Sequence, residues 1–199
     1  MLQRTTQPLP RAWLVAILTT AALAFALKTT IALRTIGTND VLSWEEFMQG
    51  ARERGGLGLY YKEALFNHPP FMVHVLRLLG WLADSTPLPF PFWLRLPGIL
   101  ADAGSLLLAW KLFRLGTAGR ASPEALLLMS AAPASVMISG FHGNTDSVMI
   151  FFVLLSVYFI ERNAPPWGAG LALGMSCNIK IWPILLFPVL LFYLPGARK

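Results

Sequence analysis

The sequence contains several apolar runs long enough to cross a lipid bilayer, and this feature constrains the fold more than any other. Because the hydrocarbon layer is about 30 Å thick, a crossing helix needs about 20 predominantly apolar residues. Apolar residues make up 55% of the chain and charged residues only 13%, which exceeds the apolar bias of soluble domains. The sequence therefore predicts an all-α, polytopic membrane protein, folded as a single bundle of transmembrane helices. We expect spans near residues 12–33, 92–113, 123–139, 146–161 and 167–195.

The distribution of basic residues favours a lipid bilayer over nucleic acid as partner. The formal charge is +6, but the sixteen Lys and Arg residues are scattered and many of them flank apolar runs. Basic residues concentrate on the cytosolic side of spans, so Arg4 and Arg11 predict a cytosolic N-terminus. By the same rule the 92–113 span ends in the cytosol, at Lys111, Arg114 and Arg120. We expect an integral multi-pass protein, in the plasma membrane if the source is prokaryotic, and no nucleic-acid binding.

The segment 35–90 is the least apolar part of the chain and holds six of its ten acidic residues. The alternation of spans places it outside the cytosol. Within it, the apolar stretch Phe71 to Leu82 is too short to cross a membrane and carries His74 and Arg77. Its spacing predicts an amphipathic helix at the membrane interface. Asp40, His68 and the turn "FHGNTD" are then expected at the same, non-cytosolic face.

Two alternatives remain open for the last apolar run, 167–195. It is interrupted at "NIKIWP", so it is either one tilted helix or two short helices that meet there. Basic residues at Arg198 and Lys199 favour two helices, while the shortness of each half favours one.

Charged residues inside spans need a partner, a wet cavity or a route to water, because each costs at least about 2.5 kcal/mol at mid-bilayer. For Lys28 we predict that the side chain reaches water near the end of its span. Arg95 and Asp102 stand two helical turns apart on one face. For both of them, pairing with other helices and a direct functional role are equally open.

Local patterns alone do not define a function. Asp40 is read as a solvated loop carboxylate or a helix N-cap, His68 as a turn residue before two prolines, and His142 as a capping or packed histidine. The sequence contains no metal-ligand spacing, phosphate-binding glycine loop, nucleophile elbow or dinucleotide fingerprint.

Five segments taken together resemble a known family. In order they are "TND", "GLGLYYKEALFNHPPF", "WLRLPGILADAGSLLLAWKLFR", "SGFHGNTDSVMIFFVLLSVYF" and "GAGLALGMSCNIKIWPILLFPVLLFYL". This series resembles the N-terminal half of the GT-C superfamily of integral-membrane glycosyltransferases. The resemblance implies transfer of a sugar from a polyprenol-phosphate donor to an acceptor hydroxyl at the non-cytosolic face, by a single inverting displacement.

The resemblance also implies a role for particular residues. An acidic residue just after the first span is the family's general base, and Asp40 matches it. His68 in "FNHPPF", Arg95 in "RLP" and Lys180 in "NIKIWP" match positions that contact the donor phosphate.

The turn "FHGNTD" matches the family's polar turn. It contributes His142, Asn144 and Asp146, which the resemblance assigns to positioning the sugar or the acceptor.

The sequence departs from the family pattern in two respects. Asn39 stands beside Asp40 where some mannosyltransferase members have two acidic residues. The identity of the hexose, with mannose as candidate, therefore stays open. No cofactor is assigned, and a divalent metal is left open. The chain is also shorter than usual for the family, so we expect it to be C-terminally truncated. The resemblance names no acceptor.

Two other function classes are kept beside the enzyme. A non-catalytic membrane scaffold or assembly subunit with the same architecture predicts that Asp40 is dispensable. A small transporter would use Lys180 and Asp102 as an intramembrane charge site and favours an internal repeat, which the sequence does not contain.

Overall fold

The computed structural model describes residues 9–115 and 122–193, and this part of the chain is helical without strands. Ten α-helices follow one another in these two described ranges, with a π-helix between α7 and α8 and a 3₁₀ helix between α9 and α10. Their bounds are α1 Arg11–Arg34, α2 Asn39–Glu53, α3 Gly55–Lys62, α4 Phe71–Ser85, α5 Phe90–Arg114, α6 Pro123–Ala131, α7 Pro133–Ser135, the π-helix Val136–His142, α8 Asp146–Glu161, α9 Pro166–Ile179, the 3₁₀ helix Trp182–Leu186 and α10 Phe187–Tyr193.

Within the described residues, three stretches are long and apolar enough to cross a membrane. They are Arg11–Arg34, Phe90–Arg114 and the continuous helical stretch Pro123–His142, with 24, 25 and 20 residues. Their composition confirms the predicted class, an all-α membrane protein. Four of the basic residues used to predict orientation and helix number lie outside the described residues: Arg4, Arg120, Arg198 and Lys199. The end of the 167–195 run also lies outside them.

Helices α8 and α9 pack against each other, and α8 also packs along α5. They have 16 and 14 residues, shorter than a typical span. Helix α9 ends at Ile179, Lys180 has extended backbone, and the chain resumes as the 3₁₀ helix and α10. Of the two arrangements left open for the last apolar run, the structure therefore has two helices that meet at "NIKIWP".

The segment 35–90 folds as a small helical layer over one end of the bundle. Helix α4 buries one face and exposes His74 and Arg77, as its amphipathic spacing predicts. Leu94 of α5 and Ile179 of α9 belong to the same apolar cluster as this layer. The cluster therefore fixes the layer to the end of the bundle where α5 begins and α9 ends. Its buried side chains within the layer are Val41, Trp44, Phe47, Met48, Ala51, Leu59, Phe66, Met72, Val73, Leu76, Leu79 and Phe90.

Lys28 does not reach water, so that prediction is wrong. Its side chain is buried, and Nζ lies 2.6 Å from Asp102 Oδ2 on α5 and 2.6 Å from Ser135 Oγ on α7. The bundle offers Lys28 an acidic partner at its own depth, and an ion pair that is also hydrogen-bonded costs less there than an unpaired charge. Asp102 accordingly pairs with other helices, one of the two roles left open for it.

Candidate active site

Asp40 and His142 form a contact where α2 begins and the π-helix ends. Asp40 lies in the first turn of α2, after Thr38 at the N-cap position. Its Oδ2 atom is 3.2 Å from His142 Nε2, although the two residues are far apart in the sequence. Side-chain exposure is 61% for Asp40 and 37% for His142. The carboxylate is thus held on one side and open to a ligand on the other.

Thr38 fixes the other edge of the His142 ring. Its Oγ1 atom lies 2.7 Å from His142 Nδ1 and also donates to the His142 carbonyl oxygen at 3.3 Å. Since both ring nitrogens have a neighbour, the ring plane is set by Thr38 and Asp40 together. Neither the residue type nor its spacing singled Thr38 out in the sequence; "TND" drew attention only to its acidic member.

Two glycines allow the segment after α1 to approach the turn after the π-helix. Gly37 has φ +100°, and a Cβ there would lie 2.5 Å from the Phe141 carbonyl oxygen. Gly143 has φ +76° and ends the π-helix. Backbone of this kind favours glycine. The contact between Asp40 and His142 therefore depends on both glycines.

Lys180 stands at the end of α9 and joins the "GNTD" turn. Its Nζ atom donates to Asp146 Oδ1 at 2.6 Å and to Asn144 Oδ1 at 3.0 Å. Asn144 Oδ1 also accepts from the backbone N–H of Asp146 at 3.1 Å, which fixes the amide orientation. The side chains are partly exposed, Lys180 by 23% and Asp146 by 37%.

His68 lies beside this lysine. Its ring packs on Trp44, with ring centroids 4.5 Å apart, and forms a hydrogen bond with the backbone of Ile179, directly before Lys180. Burial lowers the pKa of His68, and the hydrogen bond to Ile179 opposes this effect. Tyr60, on α3, donates a hydrogen bond from its Oη atom to the His68 carbonyl oxygen.

Arg95 lies at the same end of the bundle but is 1% exposed. Its guanidinium group is directed at protein oxygen atoms around the end of α1 and the end of the π-helix. Nη2 donates to the carbonyls of Ala32 and Thr35, and Nη1 to the Thr35 hydroxyl. Nη1 also donates to the carbonyls of Gly140 and Phe141, at 3.2 and 3.4 Å, and Nε to the carbonyl of Pro91 at 2.8 Å.

The structure thus brings six of the seven predicted residues into two neighbouring groups. Asp40 and His142 form one group, and Lys180, Asn144, Asp146 and His68 form the other. The short turn 142–146 joins the two groups, while Arg95 lies beneath it. Thr38, Trp44 and Tyr60 were missed by sequence reasoning, because a hydroxyl or aromatic residue in a loop gives no local signal of its distant partner.

No set of three or more His, Cys, Asp or Glu side chains within residues 9–115 and 122–193 is arranged to hold a metal ion. We therefore assign no residue to the divalent metal that the sequence left open.

Polar side chains thus gather at one end of a bundle whose helices are apolar enough to span a membrane. The family model of dolichyl-phosphate-mannose-protein mannosyltransferases matches residues 67–199. The chain belongs to this family of GT-C-type membrane glycosyltransferases, which confirms the resemblance drawn from the sequence. The match covers every predicted site residue except Asp40, which precedes it. Comparison with curated proteins and with solved structures found no match.

Proposed function

We propose that the protein transfers a hexose, with mannose as first candidate, from a polyprenol-phosphate donor to an acceptor hydroxyl at the non-cytosolic face. The observation that carries the proposal is the pairing of two groups across one turn. A half-exposed carboxylate contact lies on one side, Asp40 with His142. A lysine held by two oxygen ligands lies on the other, Lys180 with Asn144 and Asp146.

Asp40 is proposed as the general base. The acceptor hydroxyl loses its proton to the carboxylate as its oxygen attacks the anomeric carbon, and the bond from that carbon to the phosphate oxygen breaks. General-base catalysis of this kind contributes about 10²–10⁴-fold. The 61% exposure of Asp40 leaves room for the acceptor, and His142 restrains the carboxylate from the opposite side.

Lys180 is proposed to stabilise the departing polyprenol phosphate. An ammonium group has three N–H donors, and the contacts to Asp146 and Asn144 occupy two of them. The third is available for a phosphate oxygen, since the described residues provide it with no further acceptor. A positive charge aimed at a leaving group that gains negative charge lowers the barrier more than it aids ground-state binding.

The remaining predicted residues take supporting roles in this proposal. Asn144 and Asp146 set the direction of the Lys180 side chain and face the sugar. His68 packs on Trp44 beside the backbone of Ile179 and so helps to place Lys180. Arg95, with its donors directed at protein oxygens, acts on the site through the backbone of the 140–143 segment.

A single displacement at the anomeric carbon inverts its configuration. The proposal uses one base and one cation, and needs no covalent sugar intermediate. The location of the site also suits such a donor: the polyprenyl tail stays in hydrocarbon while the phosphate and sugar lie where the helices end.

Transfer by the full-length gene product in proteoliposomes tests this proposal. Radiolabelled hexose on a polyprenol phosphate is supplied in parallel with the same hexose on a nucleotide, and the product's anomeric configuration is determined. Transfer from the lipid donor alone, with inversion, is expected. Transfer from the nucleotide sugar, or retention of configuration, would reject the donor class or the mechanism. Absence of transfer from any polyprenol-phosphate hexose would favour the scaffold alternative.

A further inference from the structure

We infer that Asp102, together with its partner Lys28, is a positioning residue for catalysis: it holds the π-helix in the register that sets His142 against Asp40. This inference rests on the proposed function. It concerns a buried cluster that lies inside the bundle and outside the groups assigned to substrate.

Three donors converge on one carboxylate oxygen in this cluster. Asp102 Oδ2 accepts from Lys28 Nζ at 2.6 Å, from Ser135 Oγ at 2.8 Å and from Ser139 Oγ at 2.6 Å. Ser139 is fully buried and Lys28 is 5% exposed. Ser135 directly precedes the π-helix and Ser139 lies in its middle. Asp102 therefore accepts hydrogen bonds from two hydroxyl groups at the first turn of the π-helix.

The other end of the π-helix is held by Arg95, two turns earlier on the same α5 helix. Arg95 donates to the carbonyl oxygens of Gly140 and Phe141, the two residues before His142. Helix α5 thus contacts both ends of the π-helix through two charged side chains on one face. Helix α1 supports it from a second side: a Cβ at Gly140 would lie 3.1 Å from Lys28 Cα.

A π-helix needs such support because it is a rare conformation. Its hydrogen bonds join residues five apart instead of four, which in effect inserts one residue into the α-helical path, and it is found mostly as a single turn, frequently at functional sites. Return to α-helical geometry would shift the residues that follow by one position, which is a rotation of about 100° and a translation of about 1.5 Å. His142 is the last residue of the π-helix, so its ring would leave the 3.2 Å contact with Asp40.

Three variants of the full-length protein separate positioning from plain stabilisation. Asp102→Asn keeps the shape but leaves the Lys28 charge without its partner. The double variant Lys28→Met/Asp102→Leu removes both charges, and replacing a buried ion pair by apolar residues often preserves stability. Ser105→Ala is the matched control, because Ser105 is buried on α5 and its Oγ has no partner in the described part of the chain.

The expected result is a loss of turnover that does not follow stability. Both charge variants should lower kcat by about 10- to 100-fold while the KM for the lipid donor stays within about threefold, because small misplacements of catalytic groups cost this much. The double variant should recover the thermal stability that Asp102→Asn loses, but its kcat should stay below that of the wild type. Ser105→Ala should match the wild type in both measurements. A double variant with wild-type kcat would show a purely structural role and overturn the inference.

Amide hydrogen–deuterium exchange provides a readout that does not need transfer activity. In Asp102→Asn, exchange should accelerate in peptides covering residues 136–144, and Ser105→Ala should leave it unchanged. Unchanged exchange in Asp102→Asn would overturn the inference whether or not the protein transfers sugar. Accelerated exchange in a protein without any transfer would instead keep the structural link and reject the proposed function.

Discussion

Lys180 Nζ lies 2.6 Å from Asp146 Oδ1, which joins the end of α9 to the first residue of α8. Helix α9 ends directly before this lysine. Lys180 therefore lies partly exposed at the end of the bundle and is not buried within a continuous helix. The same geometry that relieves the membrane cost of Lys180 supplies the charge that the proposal needs.

Lys180→Ala is expected to weaken both donor binding and turnover. A phosphate contact acts in the ground state and strengthens as the leaving group gains charge, so kcat/KM for the lipid donor should fall about 10²–10³-fold. Steady-state transfer kinetics at varied donor concentration measure the effect. Lys62→Ala on exposed α3 is the matched control. If the two variants had equal kinetics, Lys180 would have no contact with the donor.

The stability of the protein is expected to decrease as the pH falls below the ordinary pKa of histidine, about 6.5. Burial lowers the pKa of His68 in the folded state. The unfolded chain therefore binds a proton at a pH where folded His68 does not, and acidification favours unfolding. Thermal denaturation in detergent between pH 5 and 8 measures this, with His68→Gln as comparison. A wild-type slope no steeper than that of His68→Gln would contradict the assignment.

Much of the architecture could be predicted from the sequence because membrane length and charge cost act on each segment by itself. The apolar runs, the amphipathic stretch at Phe71 and the helix break at Lys180 are local patterns. The partner of Lys28 could not be predicted, because Asp102 lies 74 positions away and becomes its neighbour only through helix packing. Local sequence favoured a Lys28 side chain that reaches water at the membrane surface, whereas in the folded bundle Lys28 pairs with Asp102.

For the candidate site, too, the sequence predicted some features and not others. The family pattern selected Asp40, Lys180 and the "FHGNTD" turn, but not the contacts among them. Arg95 was selected as a phosphate contact by its position at the head of a span. Its six acceptors come from three separate segments, and no sequence pattern shows that backbone carbonyls surround it. The π-helix likewise has no local signature in "VMISGFH", because its conformation depends on contacts with α1 and α5.

Arg95→Met is expected to destabilise the protein more than it affects donor binding. It leaves buried carbonyl oxygens at the ends of α1 and the π-helix without donors, which should lower the free energy of unfolding by at least about 2 kcal/mol. Thermal denaturation in detergent measures the loss, and Arg77→Met on the exposed face of α4 is the control. A stable Arg95→Met protein with a raised donor KM would instead identify Arg95 as a direct phosphate contact.

The proposed orientation places α2 outside the cytosol and the end of α5 inside it. Glu46→Cys should react with a membrane-impermeant thiol reagent added from the non-cytosolic side, and Arg114→Cys only after the membrane is opened. Both are made in a Cys177→Ser background, since Cys177 is a free cysteine. Labelling of both positions from one side of sealed membranes would rule out this topology.

The central claim is that Asp40 accepts the acceptor proton, and Asp40→Asn tests it most directly. The amide has nearly the same shape but cannot take up the proton, so transfer of radiolabelled hexose from the polyprenol-phosphate donor by the full-length protein should fall about 10²–10⁴-fold. Donor binding and membrane insertion should be retained, and Glu46→Gln, on the same helix, should transfer at the wild-type rate. Wild-type turnover by Asp40→Asn would contradict the account and direct the search for the base to Asp146.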